Sequence, residues 1–169
     1  MIRVCFHGAE STGKSVLAKT LAADLGCPLV PEYGRTYAEE VTTDFTMADL
    51  LSIAREQDRL MRAACVDNPP LVLLDTDPLM TAAWAQMLFG EVPEELLTYD
   101  KAELYLLFAP DVPWIADGTR FFGTAELRAK FAATAQDMLE RTGVTYEVIS
   151  GDWSEREVQV RAAIARVLG

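Results

Sequence analysis

The chain has 169 residues, half of them hydrophobic, and its 26 acidic against 15 basic residues leave a net charge of −11. That length and apolar content suit one α/β domain around a single core, and the acidic balance repels phosphate backbones, which argues against a nucleic-acid partner. No apolar run approaches the roughly 20 residues of a membrane helix, and the N-terminus reaches a polar loop too early for a signal-peptide core, so no membrane partner and a cytoplasmic location are expected. Cys5, Cys27 and Cys65 lie far apart with no Cys/His ligand spacing, and read as small core residues.

In chain order, short apolar runs at 2–6, 29–31, 71–74, 104–109 and 146–149 are continuous and rich in Val, Ile, Leu and aromatics, as buried strands are. Helix-length segments at 14–25, 46–65, 77–89, 122–142 and 154–168 alternate with them. This alternation predicts an α/β fold, a five-stranded parallel sheet with helices on both faces, in one domain over 1–169. Thr46 with Asp49, and Ser154 with Glu157, have capping-box spacing, so the last helix is expected to begin at Ser154; Asp77-Pro78 reads as an N-cap followed by proline at the first helical position. The stretch 111–123 holds two Gly, a Pro and few core-type residues, and is the candidate for a mobile lid.

After the first strand the chain reads GAESTGKS, which matches G-x-x-x-x-G-K-[ST] in the strand-loop-helix context that the motif requires. Its glycines let backbone N–H groups turn inward around phosphate oxygens, Lys14 reaches the β and γ phosphates, Ser15 ligates Mg²⁺, and the following helix points its positive end at the anion. The alternative, a Gly-rich turn with a surface lysine, does not explain that context. A nucleoside triphosphate is the expected ligand.

Asp75 closes the apolar strand LVLLD, the pattern of a carboxylate that holds Mg²⁺ beside a phosphate loop. Asp77, in DTDP, is either a site residue or a helix cap. Motor and AAA-type modules carry additional segments for an arginine finger and oligomer contacts, for which this chain is short. Small P-loop kinases instead place a carboxylate at the tip of the second strand to orient or deprotonate an acceptor hydroxyl, and Glu32, at the end of PLVPE, has that place. Its alternative is a solvated loop glutamate. Arg120, in the candidate lid, offers charge neutralisation for a transferring phosphoryl group, with Arg128 assisting or merely solvated. Gln57 interrupts the apolar stripe of the 46–65 helix and either reads a polar group on the acceptor's base or reaches solvent at the stripe's edge. Tyr33, Trp84 and Trp114 offer flat faces for an aromatic ring, Trp114 foremost because it lies in a polar loop. His7 reads as a satisfied core histidine.

GAESTGKS, PEYGRTY, DTDPLMTAAW, LYLLFAPDVPWIADGTR and YEVISGDWSER, in that order over nearly the whole chain, resemble the ribosylnicotinamide kinase domain of the NadR family. The resemblance implies a P-loop kinase fold and transfer of the ATP γ-phosphate to the 5′-hydroxyl of nicotinamide riboside, with ATP and Mg²⁺ as cofactors. It implies a phosphate loop at Gly8, Ala9, Glu10, Ser11, Thr12, Gly13, Lys14 and Ser15, continued by Val16. It further implies an acceptor side around Glu32, Tyr33, Arg35, Asp75 and Asp77, a lid from Asp111 to Arg120 that includes Asp117, and Gly151, Asp152 and Trp153 near the adenine. Regulators of this type carry a DNA-binding segment and an adenylyltransferase domain ahead of the kinase. Here Met1 leads straight into the first strand, so repression and adenylyl transfer are not expected. The rival expectations are a kinase for another nucleoside or nucleotide, and an ATP-binding regulatory module. Oligomeric state stays open.

Overall fold

The computed structural model describes residues 1–113 and 123–169. Five strands alternate with helices: β1 (Ile2–Gly8), α1 (Lys14–Leu25), β2 (Leu29–Val30), α2 (Tyr33–Glu40), α3 (Met47–Ala64), β3 (Leu71–Asp75), α4 (Pro78–Phe89), α5 (Glu95–Thr98), β4 (Leu104–Phe108), α6 (Ala125–Thr142), β5 (Tyr146–Ile149) and α7 (Trp153–Leu168). All pairings are parallel, in the order β2-β3-β1-β4-β5. The expected fold class, a five-stranded parallel sheet with helices on both faces, is the one observed.

Strand alternation divides the core in two. Val4 and Phe6 of β1, Leu71 and Leu73 of β3, and Leu106 and Phe108 of β4 pack toward Leu21 of α1 and Val160 and Ile164 of α7. Cys5, Val72, Leu74, Tyr105 and Leu107 face the other way, against Ile53 of α3, Leu79 of α4 and Phe131 and Leu139 of α6. Each large side chain buried this way contributes about 1.5–3 kcal/mol of apolar transfer, so both layers are needed to hold β1 at the centre. Its C-terminal end is where the phosphate loop begins.

Several boundaries differ from expectation. α2 is unforeseen: it is eight residues long, none of them fully buried, and its apolar face is little more than Tyr33 and Tyr37, which pack on the core. The four-residue α5 is unforeseen too, with Leu96 its one buried residue. α7 starts at Trp153 on the cap of Asp152, whose side chain accepts from Glu155 N–H while Glu155 accepts from Asp152 N–H. Asp152 and Glu155 share the spacing of the expected Ser154 and Glu157, and Gly151, at φ +91°, turns the chain just ahead of them. The expected caps at Thr46, with Asp49, and at Asp77, ahead of Pro78, are both formed. α6 begins at Ala125 on a Thr124 cap. Most of the candidate lid, 114–122, lies outside the described residues, and with it Trp114, Asp117 and Arg120. Among the described residues no helix is long and apolar enough to cross a membrane.

Candidate functional site

The loop between β1 and α1 is shaped by its backbone. Gly8 has φ +123°, and a Cβ there would lie 2.6 Å from the Phe108 carbonyl oxygen, so only glycine lets the loop leave the sheet beside β4. Ser11 and Gly13 take left-handed φ values of 56° and 82°, which curl the loop back on itself. Buried Thr12 fastens the curl by donating from Oγ1 to the Ala9 carbonyl at 2.9 Å. Gly13 is the N-cap of α1 and offers no side-chain oxygen, so the first-turn N–H groups of the helix face the loop with their partial positive charge. Lys14 Nζ donates to the Ala9 carbonyl at 2.6 Å and to Thr12 Oγ1 at 3.4 Å. Burial lowers the Lys14 pKa, against the opposing pull of Glu32, Asp75 and Glu10. A dianionic phosphate group brought to this amine would relieve that cost.

Two strand tips bring carboxylates to the same place. Asp75 ends β3 opposite Phe6 of β1, only 4 % exposed, and its Oδ1 is buried with no hydrogen-bond partner. An orphaned buried carboxylate oxygen fits a cation, and Ser15, in the first turn of α1, adds a hydroxyl of the kind Mg²⁺ prefers. Glu32 follows β2 and lies in the pocket with its side chain 27 % exposed, its Oε2 3.8 Å from Arg35 Nε. Partial withdrawal from water in the pocket floor pushes its carboxyl up to about 7; the Asp75 charge adds to that, while Lys14 and Arg35 oppose it.

From the phosphate loop a cavity of about 290 Å³ extends past Glu32 and Arg35 to an apolar end lined by Phe45, Met80, Trp84 and Phe131. There the half-buried Trp84 ring meets Phe131 at 5.1 Å and Phe45 at 6.3 Å between centroids, both edge-on. Tyr33 packs instead against Tyr37, at 6.3 Å. Asp77 reaches the cavity wall, yet both its oxygens have partners: Oδ1 accepts from Leu79 N–H at 3.0 Å and Oδ2 from the Tyr105 hydroxyl at 2.5 Å. Burial pushes its carboxyl up to about 6. Gln57 lines the cavity too, buried to 2 %, and does not reach solvent.

Behind the loop a second hollow is walled by Val16, Leu17, Thr20, Phe108, Trp153 and Arg156. Trp153, 54 % exposed, lays its ring over Gly13, where an added Cβ would lie 2.3 Å from Cζ3. Asp152 stands one residue away as the α7 cap. His7 is half satisfied: Nε2 donates to the Ala135 carbonyl at 3.0 Å, while buried Nδ1 has no partner. Arg128 Nη2 donates to the Val112 carbonyl at 3.0 Å, which ties it to the chain just before 114–122. Arg156 was not anticipated from sequence. Its guanidinium is 1 % exposed and donates to the carbonyls of Thr12, Ala109 and Gly151 and to Asp111. Only the charge in an otherwise helical SER segment hinted at it.

A phosphate loop, a strand-tip carboxylate beside it and a parallel sheet in this order define a P-loop nucleotide-binding domain. The chain belongs to the AAA domain family, whose model matches residues 3–156. Length therefore does not set this chain apart from proteins of that name. The trifunctional NAD biosynthesis/regulator protein NadR of Escherichia coli is 26 % identical over 98 % of this chain, and the chain spans 42 % of that relative's length. Among solved structures, NadR in complex with NR shares the fold at TM-score 0.79 and 21 % identity, covering 99 % of this chain and 51 % of the other. NadR in complex with NAD and AMP-PNP aligns at TM-score 0.76 and 23 % identity, covering 98 % and 49 %. Thymidylate kinase from Ehrlichia chaffeensis aligns at 0.70 with 15 % identity, covering 96 % and 98 %. The fold is thus that of small P-loop nucleoside and nucleotide kinases.

Proposed function

We propose that this domain is a small-molecule kinase that transfers the γ-phosphate of ATP to the 5′-hydroxyl of nicotinamide riboside. The observation that carries the reading is one cavity with Lys14 at one end, an aromatic recess at the other and Glu32 between them, with the Asp75 carboxylate close enough to act on the Glu32 charge. The likeness to NadR over nearly the whole chain, and the NR and AMP-PNP held by NadR structures, support the choice of acceptor and donor.

Lys14 and the N–H groups of the loop and of α1 hold the β and γ phosphates and keep the donor in line with the acceptor. Ser15 and Asp75 would hold Mg²⁺, which when bound would supply charge neutralisation for the phosphates. Glu32, with a carboxyl titrating near neutrality, orients the acceptor hydroxyl and takes its proton as the oxygen attacks. The rings of Phe45, Trp84 and Phe131 exclude water around the acceptor base, and their faces suit a cationic pyridinium. Arg35 and Asp77 complete the acceptor side, Trp153 and Asp152 the adenine side, and Arg120 of the lid steadies the transferring group.

The test is ADP release from Mg-ATP with nicotinamide riboside, the phosphorylated product confirmed by mass. Product that disappears in Lys14→Ala upholds the reaction. Turnover only with deoxynucleosides or nucleoside monophosphates, towards which the thymidylate kinase likeness points, replaces the acceptor and keeps the kinase. No soluble product with any acceptor favours the regulatory module.

A further inference from the structure

The amide of Gln57, on the inner face of α3, is spent on backbone. Its Oε1 accepts from Tyr33 N–H at 2.8 Å and its Nε2 donates to the Pro31 carbonyl at 3.2 Å, so the two bonds fall on either side of Glu32. The same Nε2 approaches the Thr76 carbonyl at 3.5 Å, in the turn between Asp75 and Asp77. An amide has two donor hydrogens and one acceptor oxygen, so only a second lone pair on Oε1 is left for any base in the cavity.

Two features make these bonds consequential. β2 pairs with β3 through Leu29 opposite Leu73 and Val30 opposite Leu74, and the ladder stops before Glu32. Beyond Val30, the Gln57 side chain takes over the link between the two strand tips. Thr76, buried to 5 %, has φ +82°, a left-handed conformation that a β-branched residue avoids unless its surroundings impose it. The Gln57 contact falls on the carbonyl of that strained residue.

We infer that Gln57 is a positioning residue: bonded to the backbone on both sides of Glu32 and to the carbonyl of Thr76, it holds the carboxylates of Glu32 and Asp75 in register across the tips of β2 and β3. This register has a catalytic use only if the domain is the kinase proposed above.

The experiment compares wild type with Gln57→Met, similar in length but without the bonds, and Gln57→Glu, which keeps an acceptor for Tyr33 N–H and loses both donors. Steady-state kinetics are run on acceptors that differ in base, with hydrogen exchange at the Tyr33 amide read in parallel. The expected result is a kcat lowered on the order of 10–100-fold for every acceptor, because small misplacements of reacting groups cost that much, with each KM within about threefold of wild type. Tyr33 N–H exchanges faster in Gln57→Met. Adding Thr76→Gly, which adopts +82° freely, restores part of the Gln57→Met loss. An unchanged kcat overturns the inference, and so does a loss confined to one base with a raised KM, which would make Gln57 a base reader. If wild type phosphorylates nothing, the kinase reading fails, and the clamp is then judged on Tyr33 exchange, where unchanged protection rejects it. Should Gln57→Met not fold, Gln57→Glu with and without Thr76→Gly makes the same comparison.

Discussion

Arg156 donates from Nη1 to the Thr12 carbonyl at 3.2 Å, across 144 residues of sequence, and so joins the last helix to the phosphate loop. The same guanidinium bonds the Ala109 and Gly151 carbonyls at 3.0 and 2.8 Å and sits 5.8 Å from the Phe108 ring centroid and 5.9 Å from that of Trp153. Removing it takes a buried donor from three carbonyls, while the exposed Asp111 carboxylate keeps the Gly151 N–H. With those carbonyls left unsatisfied, Arg156→Met is expected to lose about 3 kcal/mol, a fall of roughly 10 °C in Tm, and to weaken ATP binding at least tenfold. Calorimetric unfolding and nucleotide titration check both.

Glu32→Gln keeps the shape of the acceptor end and removes the proton acceptor. Turnover should fall by on the order of a hundredfold or more while ATP affinity holds, measured by ADP release and by nucleotide titration. Near wild-type turnover would pass the role to Asp75 or Asp77.

Burial holds the His7 pKa down to about 3, helped by the Lys14 charge. The unfolded chain, with histidine near 6.5, binds a proton that the folded chain refuses, so this contribution to stability is full above about pH 6.5 and is lost as pH falls below it. Between pH 7 and pH 5 the loss should reach about 2 kcal/mol. His7→Asn should flatten that acid limb in urea unfolding at a series of pH values; an unchanged slope would place the titration elsewhere.

The two loop glycines should fail differently when changed to alanine. Gly8→Ala sets a methyl group 2.6 Å from the Phe108 carbonyl oxygen, backbone that cannot yield, and should cost both folding stability and nucleotide binding. Gly13→Ala meets the Trp153 ring, a half-exposed side chain that can swing aside, but keeps the strain of φ +82°. It should lose nucleotide affinity with a smaller change in Tm, on the same two assays.

The sheet and the phosphate loop were legible in the sequence because each has a strong local signature: continuous apolar runs for β1, β3 and β4, and glycines spaced around Lys14. The caps at Thr46 and Asp77 were legible for the same reason. α2 was not, since its apolar face is short and rests on Tyr33 and Tyr37, residues that read equally well as site aromatics. The cap of α7 was expected at Ser154 with Glu157 and forms at Asp152 with Glu155, a pair of the same spacing, so spacing alone could not place it. Gln57 was visible as a polar residue in an apolar stripe, but its partners, Tyr33, Pro31 and Thr76, lie 19 to 26 residues away. The bond from Arg156 to Thr12 depends on how α7 packs and has no trace in local sequence.

The two-residue β2 has a consequence for how the domain breathes and how it can change. The phosphate loop springs from β1, which is paired along its length with β3 and β4, so opening it means opening the whole sheet. The segment that carries Glu32 and Arg35 hangs from two residue pairs at an edge strand, followed by a helix with no buried residue, whereas Met80 and Phe131 at the acceptor end belong to the core. The amides of that segment are expected to exchange by local opening below the global unfolding free energy. Substitutions there spend little of the protein's overall stability. New acceptors can thus be explored at one end of the cavity while the nucleotide end stays as it is.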